Sequence, residues 1–242
     1  MIEEKLKSIK HFQVHPTLLP HIGEQYDKFR IVLIGESHYL QELQDGKEYP
    51  QKAADYADWY DSRIPHGIDE ETWKKYEGYF NTRDMIRQFV DGDDIKLLKL
   101  PAEIFASVLS ETHHVQTDNS CKLLMDYCAF FQYFQRPSLP KVHNGLSWKQ
   151  LVPDEGQKTF AIVKEVLDIL KPNLVFIISK KSSDAFKYWC KREYDNIPEN
   201  MYFLYHTGYD QWNRKDRLVE GTDKTSSELF RSILCEYMKE II

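Results

Sequence analysis

The sequence predicts an α/β fold, a three-layer α/β/α sandwich with a short and mainly parallel central sheet. Three apolar runs, at 31–34, 174–178 and 201–205, have the length of buried strands and are too short to span a membrane. A strand that is apolar throughout needs cover on both faces, which a parallel sheet between two layers of helices provides. Amphipathic helical patterns separate these runs, as expected of this architecture.

The composition is consistent with a single domain over 1–242. The chain is 42% hydrophobic, with 15 Tyr and 13 Phe, which is enough to fill a sizeable core. Its net charge of −6 argues against an extended basic surface for duplex nucleic acid, but it allows a local basic groove. Four scattered cysteines and the tandem His113-His114 lack the spacings of metal sites, so we predict no metal and no other cofactor.

The N-terminal sequence adds an expectation about location. Residues 1–10 include acids where a secretory signal would be basic, and no long apolar run follows them. No stretch reaches the roughly 18 apolar residues that a spanning helix requires. We therefore expect a cytoplasmic protein with no membrane partner, and we expect it to be a monomer.

The first third of the chain is predicted to surround the first strand. Residues 1–28 form an arm with a short helix near 3–12, after which two prolines impose extended or turn geometry. The first strand and its loop cover 30–39. The segment 40–80 is a Tyr- and Trp-rich insertion. Its aromatic side chains either pack on the core or form a substrate wall, and we favour packing because aromatic residues mainly supply buried area.

The middle of the chain contains two helices and one ambiguous segment. Apolar positions predict helices over 81–90 and 101–109. The segment 123–134 is strongly apolar and fits either a helix or a strand. Its aromatic density and the Arg-Pro pair that follows favour a strand ending near Gln132.

The next pattern is a helix followed by a strand and a second helix. One apolar stripe predicts a helix over 157–170, which Pro172 ends. The second apolar strand, at 174–178, leads into a helix for which Ser182 or Ser183 is the expected N-cap.

The chain closes with one more strand and one more helix. The strand at 201–205 is followed directly by His206. Thr225 and Glu228 match a capping box, so a final helix is predicted to begin near Ser226.

Polar side chains follow the predicted parallel strands. They are Gly35-Glu36-Ser37-His38-Tyr39 after the first strand, Asp126 to Gln132 in the next, and His206 after the last. In open α/β sheets, ligands bind just beyond the carboxyl ends of the strands. We therefore predict that these side chains line one cleft.

In order and placement, the polar residues resemble the uracil-DNA glycosylase superfamily over about 31–213. That family has a first strand ending in Gly-Gln-Asp-Pro-Tyr or Gly-Glu-x-Pro-Gly, a second strand whose Asn reads the base, and a last strand ending in His-Pro-Ser. The segment 35–39 is similar to the first motif, and 170–176 is similar to the passage into the third strand. His206 stands where the last motif begins.

The resemblance implies a uracil-DNA glycosylase-like domain that cleaves the N-glycosidic bond of a deaminated or damaged base in DNA, uracil above all. It implies His206 as the donor to the departing base and Glu36 as the catalytic carboxylate. It also implies Gln132 or Asp126 as the reader of the flipped base and Tyr39 as the pocket wall. The remaining implied contacts are Gly35, Ser37, His38 and Phe131 (or Phe130 or Phe134) with the base, and Lys180, Lys181, Arg214 and Lys215 with DNA.

Two other interpretations stay open. The chain has Ser37 and His38 where the family has Asp and Pro, and it lacks Pro and Ser after His206. These departures favour a nucleotide-binding module that has lost the chemistry. The other alternative is a non-DNA hydrolase built on residues 35–38, although neighbours in an extended segment point to opposite sides and rarely form a Ser–His relay.

Overall fold

The computed structural model describes residues 1–39, 58–64, 68–138, 154–194, 196–206 and 211–241. Within these ranges the chain is a mixed α/β structure with one five-stranded sheet between helices. The strands are β1 (His21–Ile22), β2 (Ile31–Tyr39), β3 (Cys128–Ser138), β4 (Leu174–Ile177) and β5 (Met201–Phe203).

The sheet has the strand order β1-β3-β2-β4-β5. The central strand β2 pairs in parallel with both β3 and β4, and β5 pairs in parallel with β4. The short edge strand β1 runs antiparallel to β3. In this register Ile34 lies beside Phe131 on one side and Ile177 on the other. The carboxyl ends of four strands therefore lie along one edge of the sheet.

Helices cover both faces of the sheet, which gives the three-layer α/β/α arrangement. They are α1 (Ile2–Ser8), α2 (Lys10–Val14), α3 (Tyr26–Phe29), α4 (Glu70–Glu77), α5 (Thr82–Asp91), α6 (Lys96–His113), α7 (Ser120–Tyr127), α8 (Glu155–Leu170), α9 (Lys180–Glu193) and α10 (Ser226–Glu240). One layer contains α1, α2, α8 and α9, and the other contains α5, α6, α7 and α10. No helix in the described ranges combines the length and the apolarity needed to cross a membrane.

The apolar run in β2 is continuous because both of its faces are buried. Ile31 and Leu33 pack into the core beneath α6, α7 and α10, whereas Val32 and Ile34 pack into the core beneath α8 and α9. All four side chains are fully buried. Each side chain contributes roughly 1.5–3 kcal/mol relative to an exposed position. A register slip of one residue would exchange the two faces of the strand without burying more apolar area, and it would move the polar residues that follow the run away from the edge of the sheet.

The ambiguous apolar segment is part helix and part strand. Helix α7 ends at Tyr127, and β3 begins at the next residue and continues to Ser138. The expected strand end near Gln132 is therefore wrong by six residues. The extension is stabilised where Arg136 Nε donates to Glu155 Oε1 at 2.7 Å, an ion pair that is buried on both sides. A strand can carry this arginine inward because its charge is paired there.

Two local expectations are also corrected. Gly35 does not end its strand, since β2 continues through the polar residues to Tyr39. The N-cap of α9 is Ser179, whose Oγ accepts from the backbone N–H of Ser182, and not Ser182 or Ser183. The capping box at the start of α10 is confirmed, with both of its hydrogen bonds present.

Aromatic side chains from the insertion pack into the core. Trp59, Tyr60, Trp73 and Phe80 are buried, and the rings of Trp59 and Trp73 meet edge to face. These side chains favour core packing over a substrate wall. The rest of 40–80, namely 40–57 and 65–67, lies outside the described residues.

Two histidines from the N-terminal segment are buried as neutral rings. Burial lowers the pKa of His11 to about 3 and that of His15 to about 4. The ring of His15 stacks on Trp59 and its Nε2 donates to the carbonyl oxygen of Trp59 at 2.6 Å. Both ring nitrogens of His11 are buried without a hydrogen-bond partner in the described part of the chain. Protonating either ring would place an unpaired charge in the core.

We predict that the His11→Phe variant loses less stability than the wild type when the pH is lowered. The unfolded chain protonates this histidine near pH 6.5, but the native chain does so only near pH 3. The stability it contributes is therefore complete above pH 6.5 and declines as the pH falls towards 3. At pH 5 the loss that the variant avoids is about 2 kcal/mol. Urea unfolding at pH 7, 6 and 5 measures it.

The control for this measurement is His114→Asn. His114 is exposed and has a left-handed backbone, which Asn tolerates. The control should keep the wild-type dependence of unfolding free energy on pH. Equal pH dependence in wild type and His11→Phe would contradict the burial of a neutral His11.

Candidate functional site

A cavity of about 380 Å³ lies at the carboxyl edge of the sheet. One wall is formed by strand ends and consists of Glu36, Ser37, His38, Gln132 and His206. The facing wall comes from α5 and the residue before it, together with the start of α6, and includes Asn81, Asp84, Met85, Gln88 and Leu97. Five of the residues that the sequence nominates are thus brought together, although they come from distant parts of the chain.

Glu36 is held in place by groups at the beginning of α9. The residue is only 5% exposed, and its Oε2 accepts from Ser179 Oγ at 2.7 Å. Its Oε1 lies 3.5 Å from Lys181 Nζ. Because Ser179 is the N-cap of α9, the positive end of the helix dipole also faces the carboxylate. The arrangement fixes a negative charge at the wall of the cavity.

His206 lies three residues beyond the end of β5, on the same wall as Glu36. Burial lowers its pKa, the Glu36 carboxylate raises it, and the Lys181 ammonium lowers it. Burial is the largest of these effects, so the imidazole is neutral near pH 7. A neutral imidazole next to a carboxylate can donate one hydrogen bond to a ligand without bringing a formal charge.

Gln132 lies directly beside Gly35 in the β2–β3 pair, and the glycine allows a close approach. A Cβ added at Gly35 would overlap Oε1 of Gln132, so the amide occupies the space above the glycine. Gln132 is 5% exposed, and among the described residues its Oε1 has no hydrogen-bond partner. Its Nε2 has only a long contact of 3.9 Å to the sulfur of Met85. The amide is therefore buried at the cavity with its hydrogen-bonding capacity largely unused.

Ser37 and His38 do not form a catalytic pair with one another. Nε2 of His38 lies 3.0 Å from Oγ1 of Thr82, at the start of α5. Burial lowers the pKa of His38 to about 4, so its ring is neutral. Oγ of Ser37 is buried and has no hydrogen-bond partner in the ranges that the structure describes. Ser37 is thus available to a ligand, and within those ranges no base is hydrogen-bonded to it.

Asp126 does not belong to the cavity, and its expected position is corrected. It lies in the last turn of α7, two residues before β3 begins, where its carboxylate pairs with Lys122 at 2.5 Å. The amino end of β3 is at the opposite edge of the sheet from Gln132. Phe131 is fully buried in the core beneath α8 and α9 and is not among the lining residues. The side chain of Tyr39 lies outside what the structure describes.

Three of the four expected DNA-contacting cations are engaged with carboxylates. Lys180 pairs with Asp184, and Lys181 pairs with Glu36 as described above. Arg214 pairs with Asp216, while Lys215 is exposed nearby. Lys181 thereby becomes part of the surroundings of Glu36, and contacts of the four residues with phosphate stay predictions.

The wall contributed by α5 is a feature that the sequence interpretation missed. Asn81 is the N-cap of α5, and its Oδ1 accepts from the backbone N–H groups of Arg83 and Asp84 at 3.0 and 3.1 Å. Asp84 and Gln88 follow at spacings of three and four residues, which places them on one face of the helix. In the sequence, the polar face of α5 has the same pattern as a face exposed to solvent. The pattern therefore does not distinguish a helix face that lines a cavity from one that faces bulk water.

Metal ligation receives no support from the part of the chain that the structure describes. No group of three His, Cys, Asp or Glu side chains is arranged there to hold a metal ion. The chain matches no family model and no curated protein. The geometry of the cavity is therefore the basis for assigning a function.

We predict that Gly35→Ala is far better tolerated than Gly23→Ala. At residue 35 the new methyl group meets the end of a flexible side chain, Gln132 Oε1, which can move away. At residue 23 it meets the backbone carbonyl of Asp126, which cannot. We expect a loss of about 2–3 kcal/mol for Gly23→Ala and less than about 1 kcal/mol for Gly35→Ala. Urea denaturation compares them, and similar losses would contradict the expectation that the Gln132 side chain can move away from residue 35.

We also predict opposite shifts of the His206 pKa in two variants. Glu36→Gln removes a negative charge that favours the imidazolium, so the pKa should fall further. Lys181→Met removes a positive charge, so the pKa should rise. Titration of the imidazole signal of His206 by NMR measures both. Lys180→Met, which alters a neighbouring lysine paired with Asp184, should leave the titration unchanged; shifts of the same sign would refute the arrangement.

Proposed function

We propose that the cavity binds a deaminated or damaged base of DNA, uracil above all, and hydrolyses its N-glycosidic bond. The observation that carries this proposal is the joint location of Glu36, Gln132 and His206 in one cavity at the carboxyl edge of a parallel sheet. Their order along the chain, with Glu36 on β2, Gln132 on β3 and His206 after β5, agrees with the resemblance to uracil-DNA glycosylases. The uracil-DNA glycosylase-like character of the fold is part of the same proposal.

The amide of Gln132 supports recognition of a base. A deaminated base presents a ring N–H next to a carbonyl oxygen, and a primary amide offers an acceptor next to a donor. A buried acceptor without a partner costs roughly 1–3 kcal/mol. A ligand N–H at Gln132 Oε1 would recover that cost, while Nε2 donates to the neighbouring carbonyl oxygen of the base.

Glu36 and His206 support the chemistry. When the bond between C1′ and the base nitrogen breaks, positive charge develops on the sugar and negative charge on the base. His206 donates a hydrogen bond to the base oxygen that gains the charge. Glu36 favours the cationic sugar and takes the proton of the water whose oxygen bonds to C1′. The base leaves with the bonding electrons and then takes a proton from solvent.

A non-catalytic module with the same cavity is the second candidate. Gln132 Oε1 and Ser37 Oγ, which have no hydrogen-bond partner among the residues described, support binding of a ligand whether or not it is cleaved. A serine hydrolase built on Ser37 is less well supported, because His38 contacts Thr82 and not Ser37.

We predict that the protein creates alkali-labile abasic sites in uracil- or hypoxanthine-containing oligonucleotides. Glu36→Gln and His206→Ala should each slow the reaction about 100-fold or more, since each removes a group that acts in the transition state. The rate is measured by alkaline cleavage of labelled strands. Asp126→Asn is the matched control and should keep the wild-type rate, because Asp126 pairs with Lys122 away from the cavity.

The possible outcomes separate the two candidates. Strand cleavage that survives both Glu36→Gln and His206→Ala would overturn the assignment of the catalytic groups. Binding of the oligonucleotide without abasic sites would favour the non-catalytic module. If the protein neither binds nor cleaves the oligonucleotide, the support for a DNA substrate is lost.

A further inference from the structure

The α5 side of the cavity is a second polar wall that the reading of a base does not use. Its polar residues are Asn81, Asp84 and Gln88, which line the cavity together with the strand ends. The volume of about 380 Å³ lies within the range of roughly 300–1,000 Å³ found for cavities that bury drug-sized ligands. The cavity therefore has room for a group attached to the base, and α5 determines the chemistry that this group meets.

The hydrogen-bonding groups of this wall suit hydroxyl groups. Oδ1 of Asn81 is occupied by two backbone N–H groups, so its amide offers the cavity a donor. Oδ1 of Asp84 accepts from Arg87 at 2.7 Å, and the second oxygen of the carboxylate remains an acceptor. The amide of Gln88 can do both. A hydroxyl group donates and accepts, so it matches a wall that contains both functions.

A phosphodiester matches this wall poorly. Its oxygens only accept hydrogen bonds, and on this wall its charge would meet the carboxylate of Asp84, which the exposed Arg87 partly screens. The two arginines of α5 are paired with acids: Arg87 with Asp84, and Arg83 with Glu3. Lys181 is paired with Glu36. The balance of charge therefore favours an uncharged sugar at this wall, and the phosphates of a DNA strand would lie outside it.

An independent observation indicates that the cavity is a ligand site. Oε1 of Gln132 and Oγ of Ser37 are buried and, within the described residues, unpartnered at the strand-end wall. Gln132 pairs with Gly35, and Ser37 lies two residues further along β2, so both side chains stand on the same face of adjacent strands. One flat polar group could reach both of them.

We propose that the α5 wall binds the hydroxyl groups of a sugar, so that the cavity accepts free nucleosides. The base lies against Gln132 and Ser37, and the sugar lies against Asn81, Asp84 and Gln88. For its base end this inference rests on the proposed function, but it requires neither DNA nor cleavage of a bond.

Calorimetric titration of the 242-residue chain tests the inference with uracil, uridine and uridine 5′-phosphate. Wild type should bind uridine about ten-fold more tightly than uracil and more tightly than the phosphate. Asp84→Asn should weaken uridine about ten-fold, leave uracil unchanged, and bring the phosphate closer to uridine, because a negative charge is removed. Gln132→Leu should weaken uracil and uridine alike.

The matched control is Asp91→Asn, the same change at the other end of α5, where the side chain is exposed. It should leave all three affinities unchanged. Equal effects of Asp84→Asn on uracil and uridine would overturn the sugar subsite, and so would wild type that binds none of the three. The oligonucleotide assay reports separately on the proposed function, since it can succeed when nucleoside binding fails.

Discussion

The parallel pairing of β2 with both of its neighbours is the constraint on which the rest of the structure depends. Ile31 is paired with Cys128 on one side and with Leu174 on the other, and this register is maintained to Ile34. Because the three strands run in the same direction, the residues that follow their apolar parts reach the same edge. The contact of Glu36 with Ser179 is a direct result, since each residue lies just beyond a run that this register aligns.

Buried polar atoms without partners acquire meaning only from their surroundings. The ring nitrogens of His11 and the indole N–H of Trp73 are also unpartnered among the described residues. Trp73 is packed in the core, and the buried ring of His11 lies against Phe12 and Tyr60. Gln132 and Ser37 carry the same cost at the wall of a cavity, where a ligand can remove it. The difference between a stability cost and a binding site is therefore the adjacent space, which Gly35 helps to create for the amide of Gln132.

The sequence predicts the parts of this fold whose signals are local. The apolar run of β2, the helix over 157–170 and the capping box at Thr225 each depend on a few neighbouring residues, and the structure contains them. The change from α7 to β3 at Cys128 could not be predicted, because both elements are buried and their apolar residues form one unbroken pattern. Because of that ambiguity, Asp126 was predicted at the carboxyl edge of the sheet, whereas it lies in α7 at the opposite edge. The polar face of α5 was missed for a related reason, since a cavity and bulk solvent select the same residues.

The surroundings of Glu36 explain how a carboxylate and a neutral imidazole, that of His206, line the same cavity. Ser179, the beginning of α9 and Lys181 all stabilise the carboxylate, and they do so from the side away from α5. Burial keeps His206 neutral despite this carboxylate. A pair whose environments separate an anion from a neutral donor is the arrangement that acid–base chemistry requires. Ser179 alone is sufficient to cap α9, so capping does not explain the presence of Glu36. The nearby His206 and the cavity favour a role for Glu36 in ligand binding or chemistry.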